Sequence, residues 1–266
     1  MQNLSSWLGK RATGIYAVIA LFYMMLPIAV VIMLSFNKPA GKQNTQWNEF
    51  SLDAWKSICR DQTICGAVTT SIQIAALTTI VSTILGTMIA FALVRHRFRG
   101  RTSTNLLIFL PMATPEVVMG TSLLALFLNI SVIPLGFWTL LIAHIMFTIS
   151  FVVVAVKARL ASLDPRLEQA AMDLYADSKT TFRYITFPLA LPGIAAAALL
   201  SFSLSFDDFI ITNFNSGTTV TFPMYVWGAA QRGIPPQVNV IATIFFMSAL
   251  LLVVVAQLVS AKRVKR

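Results

Sequence analysis

Long apolar runs recur from one end of this chain to the other, and they decide what it can become. A hydrocarbon layer of roughly 30 Å is crossed by about 20 apolar residues in a helix. Lipid satisfies no backbone N–H or C=O, so each run must close its own hydrogen bonds as a helix. Six segments qualify: Ile15 to Phe36, Ile64 to Val94, Leu106 to Leu128, Phe137 to Val156, Leu189 to Thr212 and Val240 to Val259. The third contains Pro111 and Pro115 and is expected to break there. The first is too long for a signal-peptide core and is followed by no small-residue cleavage site, so it reads as a span. Charged residues make up only 11% of the 266, against about 25% in soluble domains. The expectation is an all-α polytopic membrane protein with six transmembrane helices, forming one transmembrane domain over residues 1–266.

The basic residues set the orientation. Lys10 and Arg11, the Arg95–Arg101 loop, the segment from Lys157 to Arg183 and the tail from Lys262 to Arg266 all fall on one side. The other side holds only Lys38, Lys42, Lys56, Arg60 and Arg232. An even number of spans puts both termini on the same side, and the positive excess makes that side cytoplasmic. The net charge of +10 is therefore a topology signal, reinforced by anionic membrane lipid. It gives no reason to expect nucleic acid.

Acidic residues are scarcer and more telling. Glu116, Asp207 and Asp208 sit within apolar spans that contain no lysine or arginine. An unpaired carboxylate in a membrane is costly, so such residues usually face a bundle interior or watery cavity and mark a transport path. Ser201, Ser205 and Thr212 share a helical face with Asp208, a stripe that reads as cavity lining. Asp208 falls in the outer part of its span and Glu116 nearer the middle of its own. Acids without basic partners suit a cationic passenger.

Other chemistry is not supported. The phosphate-binding pattern G-x-x-x-x-G-K-[ST] is absent from the sequence. His96 and His144 are too few and too scattered for a metal site, and no catalytic triad is recognisable. Cys59 and Cys65 would lie roughly 9 Å apart along a continuous helix, so two free thiols are expected there unless the chain bends. Phe222 to Arg232 reads as a short helix at the outer surface.

The longest polar interruption on the cytoplasmic side, Ser162 to Gly193, reads as two short helices. Asp164 with Pro165 starts one that runs to about Leu174, and Asp177 caps a second that should end near Pro188. Ala170 and Ala171 leave one side slim enough for another surface to approach, so the hairpin reads as a docking handle. Its residues Leu167–Ser178 (LEQAAMDLYADS) and Tyr184–Gly193 (YITFPLALPG) resemble the EAA loop of binding-protein-dependent ABC import permeases, the MetI-like family. On that resemblance Glu168, Gln169, Ala170, Ala171, Asp173, Tyr175, Ile185 and Pro188 would couple the spans to an ATPase. Gln169 stands where the family has glutamate, a loss for which neighbouring Glu168 would compensate. Tyr175 replaces the usual glycine, which would hinder a left-handed turn.

The likeness extends over nearly the whole chain. Arg95–Arg101 (RHRFRGR), Leu110–Leu124 (LPMATPEVVMGTSLL), Leu135–Ile145 (LGFWTLLIAHI) and Ser201–Phe214 (SFSLSFDDFIITNF) resemble the spermidine/putrescine branch of that family. The resemblance implies a type I ABC importer permease fold and a polyamine passenger moved by alternating access. It also implies a second homologous permease, a dimeric ABC ATPase holding ATP and Mg, and an extracytoplasmic substrate-binding protein. It implies no enzymatic activity or cofactor in this chain, and a multi-pass place in the bacterial inner membrane. Two other readings remain: the same kind of permease for a different solute, and an ATPase-independent secondary transporter using the carboxylates as a proton relay.

Overall fold

The computed structural model describes residues 2–130 and 132–264; Lys265 and Arg266 of the basic tail lie outside them. Helix α1 (Gln2–Ser35) leads into a two-residue antiparallel ribbon, β1 (Asn37–Lys38) paired with β2 (Glu49–Phe50), and a one-turn helix α2 (Asp53–Lys56). Helices α3 (Gln62–Arg95), α4 (Arg101–Ala113), α5 (Glu116–Ile130) and α6 (Phe137–Ala161) follow. The polar hairpin supplies α7 (Arg166–Asp173) and α8 (Ser178–Thr181), and a π turn at Phe182–Thr186 feeds α9 (Phe187–Asp207). Short helices α10 (Ile210–Asn215) and α11 (Phe222–Arg232) precede α12 (Pro236–Val264). Among the described residues, five helical stretches are long and apolar enough to cross a membrane, and the α4–α5 pair, bent by 106°, brings the number to six when it is counted as one span. The bend falls at Thr114–Pro115. The residue before a proline is pushed out of the helical region, and Thr114 is extended at φ −79° and ψ 131°. Pro111, by contrast, stays inside α4.

The chain divides into two compact units, residues 66–225 and residues 1–65 with 226–266. In the second of these, α1 packs along α12. A buried asparagine pair braces the loop after α1: Asn37 Nδ2 donates to Asn44 Oδ1 at 2.7 Å, and Asn44 Nδ2 donates to the Leu34 carbonyl at 2.8 Å. The expectation of free thiols fails here. Cys59 and Cys65 form a disulfide with their Cα atoms 5.5 Å apart, because turns at Ser57–Asp61 interrupt the helix that would have separated them.

Residues 66–225 are organised around α6. Its Val152, Val153, Val156 and Leu160 pack against Ala90 and Leu93 of α3 and Ala190 and Ala197 of α9. Without a hydrophobic drive between helices in lipid, close approach at small residues does the work. A Cβ on Gly86 would stand 2.6 Å from Val152, and one on Gly193 would stand 2.3 Å from Arg159 Cγ. That proximity lets Arg159 donate from Nε and Nη2 to the Leu189 carbonyl at 2.9 and 2.7 Å.

Pro188 does not end its helix, contrary to expectation. Ser178–Asp207 is one continuous 30-residue span. The π turn just before Pro188 changes the hydrogen-bond register, so the proline's missing N–H and bulky ring fall where the ladder is already loosened.

Candidate functional site

Asp207 and Asp208 stand where α9 ends, and a short gap separates them from α10. Asp208 is extended, φ −63° and ψ 124°, as suits a residue whose short carboxylate competes for backbone N–H groups. Its Oδ2 accepts from the Thr212 N–H and from the Thr212 hydroxyl, both at 2.8 Å, and its Oδ1 accepts from the Ile211 N–H at 3.4 Å. Asp208 therefore caps the first turn of α10.

The cap is held from a third helix. His144 of α6, only 2% exposed, has Nδ1 2.8 Å from the Ser205 hydroxyl and Nε2 3.0 Å from the Thr212 hydroxyl. Nε2 also lies 3.6 Å from Asp208 Oδ2. A neutral ring protonated at Nε2 satisfies every partner: Ser205 donates to Nδ1, Nε2–H donates to Thr212, and Thr212 donates to Asp208. The end of α10 is braced as well. Asn215 Nδ2 donates to the Gly120 carbonyl of α5 at 3.1 Å, and Thr139 of α6 donates to the Asn215 carbonyl at 2.8 Å.

This arrangement revises the acidic triplet. Asp208 is neither unpaired nor cavity-facing, and the stripe of Ser201, Ser205 and Thr212 is buried with it; Ser205 and Thr212 meet α6. Counting lysine and arginine as the only possible partners leaves out a histidine on the neighbouring span. A base inside an apolar run was the available signal. Asp207 and Glu116 face outward. Each lies one turn before the contact of Gly120 with Ile211, on segments that run in the same sense, since Leu135 beyond α5 meets Gly217 beyond α10. Glu116 opens α5 just after the break, where a carboxylate also suits the positive helix end.

The hairpin's first helix and the starts of both helices lie where anticipated. Asp164 accepts from the Arg166 N–H at 2.9 Å and Asp177 from the Thr180 N–H at 2.9 Å. Thr180's hydroxyl and N–H hold the Asp177 carboxyl below the ordinary range. Tyr175 overturns the expectation of a hindered turn: it adopts the left-handed conformation, φ 61°. The N–H groups of Tyr175 and Ala176 close on the carbonyls of Met172 and Ala171 at 3.0 and 3.1 Å, the pattern of a Schellman cap. Glu168 is also not free to replace the missing charge of Gln169. It pairs with Arg95 of α3 and accepts from the Thr186 hydroxyl. Gln169, Ala170, Asp173, Leu174 and Tyr175 are exposed, with Tyr175 fully so. Ala171 and Ile185 are partly covered, and Pro188 is exposed at the start of α9.

Known proteins share this architecture. Residues 82–266 match the family described as binding-protein-dependent transport system inner membrane component. The spermidine/putrescine transport system permease protein PotC of Haemophilus influenzae is 38% identical over 241 residues, covering 90% of this chain and 93% of its own. The protein of the same name from Escherichia coli K12 is 36% identical over 97% of this chain and 95% of its own. The putrescine transport system permease protein PotI of that organism is 36% identical over 84% of this chain and 81% of its own. Among solved structures, a bacterial ABC transporter involved in import of the acidic polysaccharide alginate superimposes with a TM-score of 0.65. It is 17% identical and covers 97% of both chains, so it supports the fold alone.

Proposed function

Because the chain belongs to the family of binding-protein-dependent transport system inner membrane components, we propose that it is the membrane-spanning permease subunit of an ATP-driven importer of polyamines. A separate ABC ATPase dimer (PotA-like) supplies the energy. A second homologous permease (PotB-like) completes the pathway, and an extracytoplasmic binding protein (PotD-like) delivers spermidine or putrescine. The subunit sits in the bacterial inner membrane as a multi-pass protein.

The observation that carries the solute class is the pair of outward carboxylates, Asp207 and Glu116, beside breaks in two spans. A helix break leaves carbonyl oxygens without intrahelical partners, and the C-terminal end of α9 adds partial negative charge. Carboxylates beside such an end attract ammonium groups, the way broken helices of transporters coordinate cations. Partnered with the homologous permease, these faces would line a shared path. ATP binding closes the ATPases and draws the hairpins together, turning the spans outward to receive solute. Hydrolysis returns the path inward. Gln169, Ala170, Ala171, Asp173 and Tyr175 form the docking surface, while Glu168 holds the hairpin to α3.

ATP hydrolysis by the complex, purified with its co-expressed partners, tests the proposal. Stimulation by spermidine-loaded binding protein is expected. Copurified ATPase indifferent to spermidine would retain the importer and discard the solute, and absence of a copurifying ATPase would overturn the importer.

A further inference from the structure

Packing alone does not call for a base at position 144. The helix around it is apolar, the site is buried, and a leucine would fill similar space between α6, α9 and α10. What the imidazole does that a leucine cannot is reach both sides of the α9–α10 break at once. Nδ1 meets Ser205, three residues before Asp208, and Nε2 meets Thr212, four residues after it. Both hydroxyls are buried, as is the carboxylate that Thr212 serves. The ring is thus a strut between the end of one helix and the start of the next.

We propose that His144 is a positioning residue of the cation pathway. It keeps the break open, so that Asp208 stays in place as the cap of α10 and Asp207 stands at the end of α9 beside carbonyls without intrahelical partners. Successive residues of an α-helix are about 100° apart. A continuous helix would still hold Asp208 on the buried face with Ser201, Ser205 and Thr212 and leave Asp207 off it, but it would pair within the helix the carbonyls that the break leaves free beside Asp207. The extended backbone at Asp208 makes the break, and His144 ties Ser205 before it to Thr212 after it, whose hydroxyl binds the Asp208 carboxylate. His144 itself does not touch the solute. The inference rests on reading Asp207 as part of the pathway.

The test is a double-mutant cycle on uptake of labelled spermidine by proteoliposomes carrying the complete complex and its binding protein. His144→Leu should purify in normal yield yet lose roughly tenfold or more in uptake, the scale seen when partners that orient a functional group are removed. His144→Gln, whose amide can donate to Thr212 from near the Nε2 position, should recover most of that loss. His144→Leu combined with Asp207→Asn should be no worse than Asp207→Asn alone, because the strut acts through that carboxylate. Wild-type uptake by His144→Leu would overturn the proposal, and so would losses that multiply in the double variant, the mark of an independent structural role. If His144→Leu fails to assemble, Thr212→Val takes its place in the cycle, and its results support or overturn the proposal in the same way. Full uptake by Asp207→Asn alone would overturn the pathway reading and this inference with it. A defect in Asp207→Asn beside a normal His144→Leu would overturn the inference only.

Discussion

Asp207 and Asp208 are chemically identical neighbours with opposite environments, and substitutions should separate them. Asp208→Asn keeps the size but weakens the cap on Thr212 and Ile211, at a cost of about 1 kcal/mol for a helix cap and more for the disturbed buried network. Its expected signature is reduced yield and thermal stability of the purified complex; an unchanged melting temperature would speak against the cap. Tyr175 poses a separate residue-scale question. A non-glycine residue in the left-handed region costs about 1 kcal/mol, so Tyr175→Gly should stabilise the hairpin locally, read as slower amide exchange at Tyr175 and Ala176. Faster exchange there would mean that the exposed ring contributes more than its backbone strain costs. The acids are visible in the sequence because carboxylates are rare in apolar runs. Spacing also groups Asp208 with Ser201, Ser205 and Thr212, but that this face is buried against another helix is not visible. That burial depends on a histidine 64 positions away in the chain, and long-range partners leave no local pattern.

At the level of elements, the spans and their breaks are legible, but their exact ends are not. Pro115 ends α4 as a proline should, whereas Pro188 sits within a continuous span behind a π turn. The difference lies in the preceding turn, whose register no propensity reports. The α6–α9 contact makes a sharper prediction. Gly193→Val should push Arg159 off the Leu189 carbonyl, since even a Cβ there would stand 2.3 Å from the arginine stem. The arginine would then keep a charge in a crowded interface without its acceptor, a loss of several kcal/mol by order of magnitude. The measurable result is failure of the variant to accumulate in membranes; normal expression and transport would show that the contact is dispensable. The hairpin is equally legible in its helices and caps, yet its tether is not. Glu168 reads as a free docking charge in sequence, but Arg95 and Thr186 occupy it. Glu168→Gln should therefore weaken coupling of ATP hydrolysis to uptake while leaving ATPase binding intact, and loss of binding instead would return Glu168 to the docking surface.

For the whole molecule, charge asymmetry and the disulfide make independent statements about sidedness. Disulfides persist in oxidising compartments, and the Cys59–Cys65 bridge falls on the side that the sparse lysines and arginines mark as external. An impermeant maleimide added to intact spheroplasts should label these cysteines only after reduction; labelling without reductant would contradict the bridge, and labelling only after permeabilisation would invert the topology. Fold class is legible because lipid allows so few solutions, and the hairpin because its polar length is unusual between spans. Which face lines the solute path is less legible, since a single sequence does not separate an exposed helix face from one that meets another helix. If outward carboxylates at the α9–α10 break carry a polyamine, the most direct measurement is ATP-driven uptake of labelled spermidine by reconstituted complex bearing Asp207→Asn. Assembly should be intact and uptake reduced tenfold or more, on the order expected when a buried or path-lining charge loses its ionic partner. Unchanged uptake at subsaturating spermidine would contradict that role for Asp207.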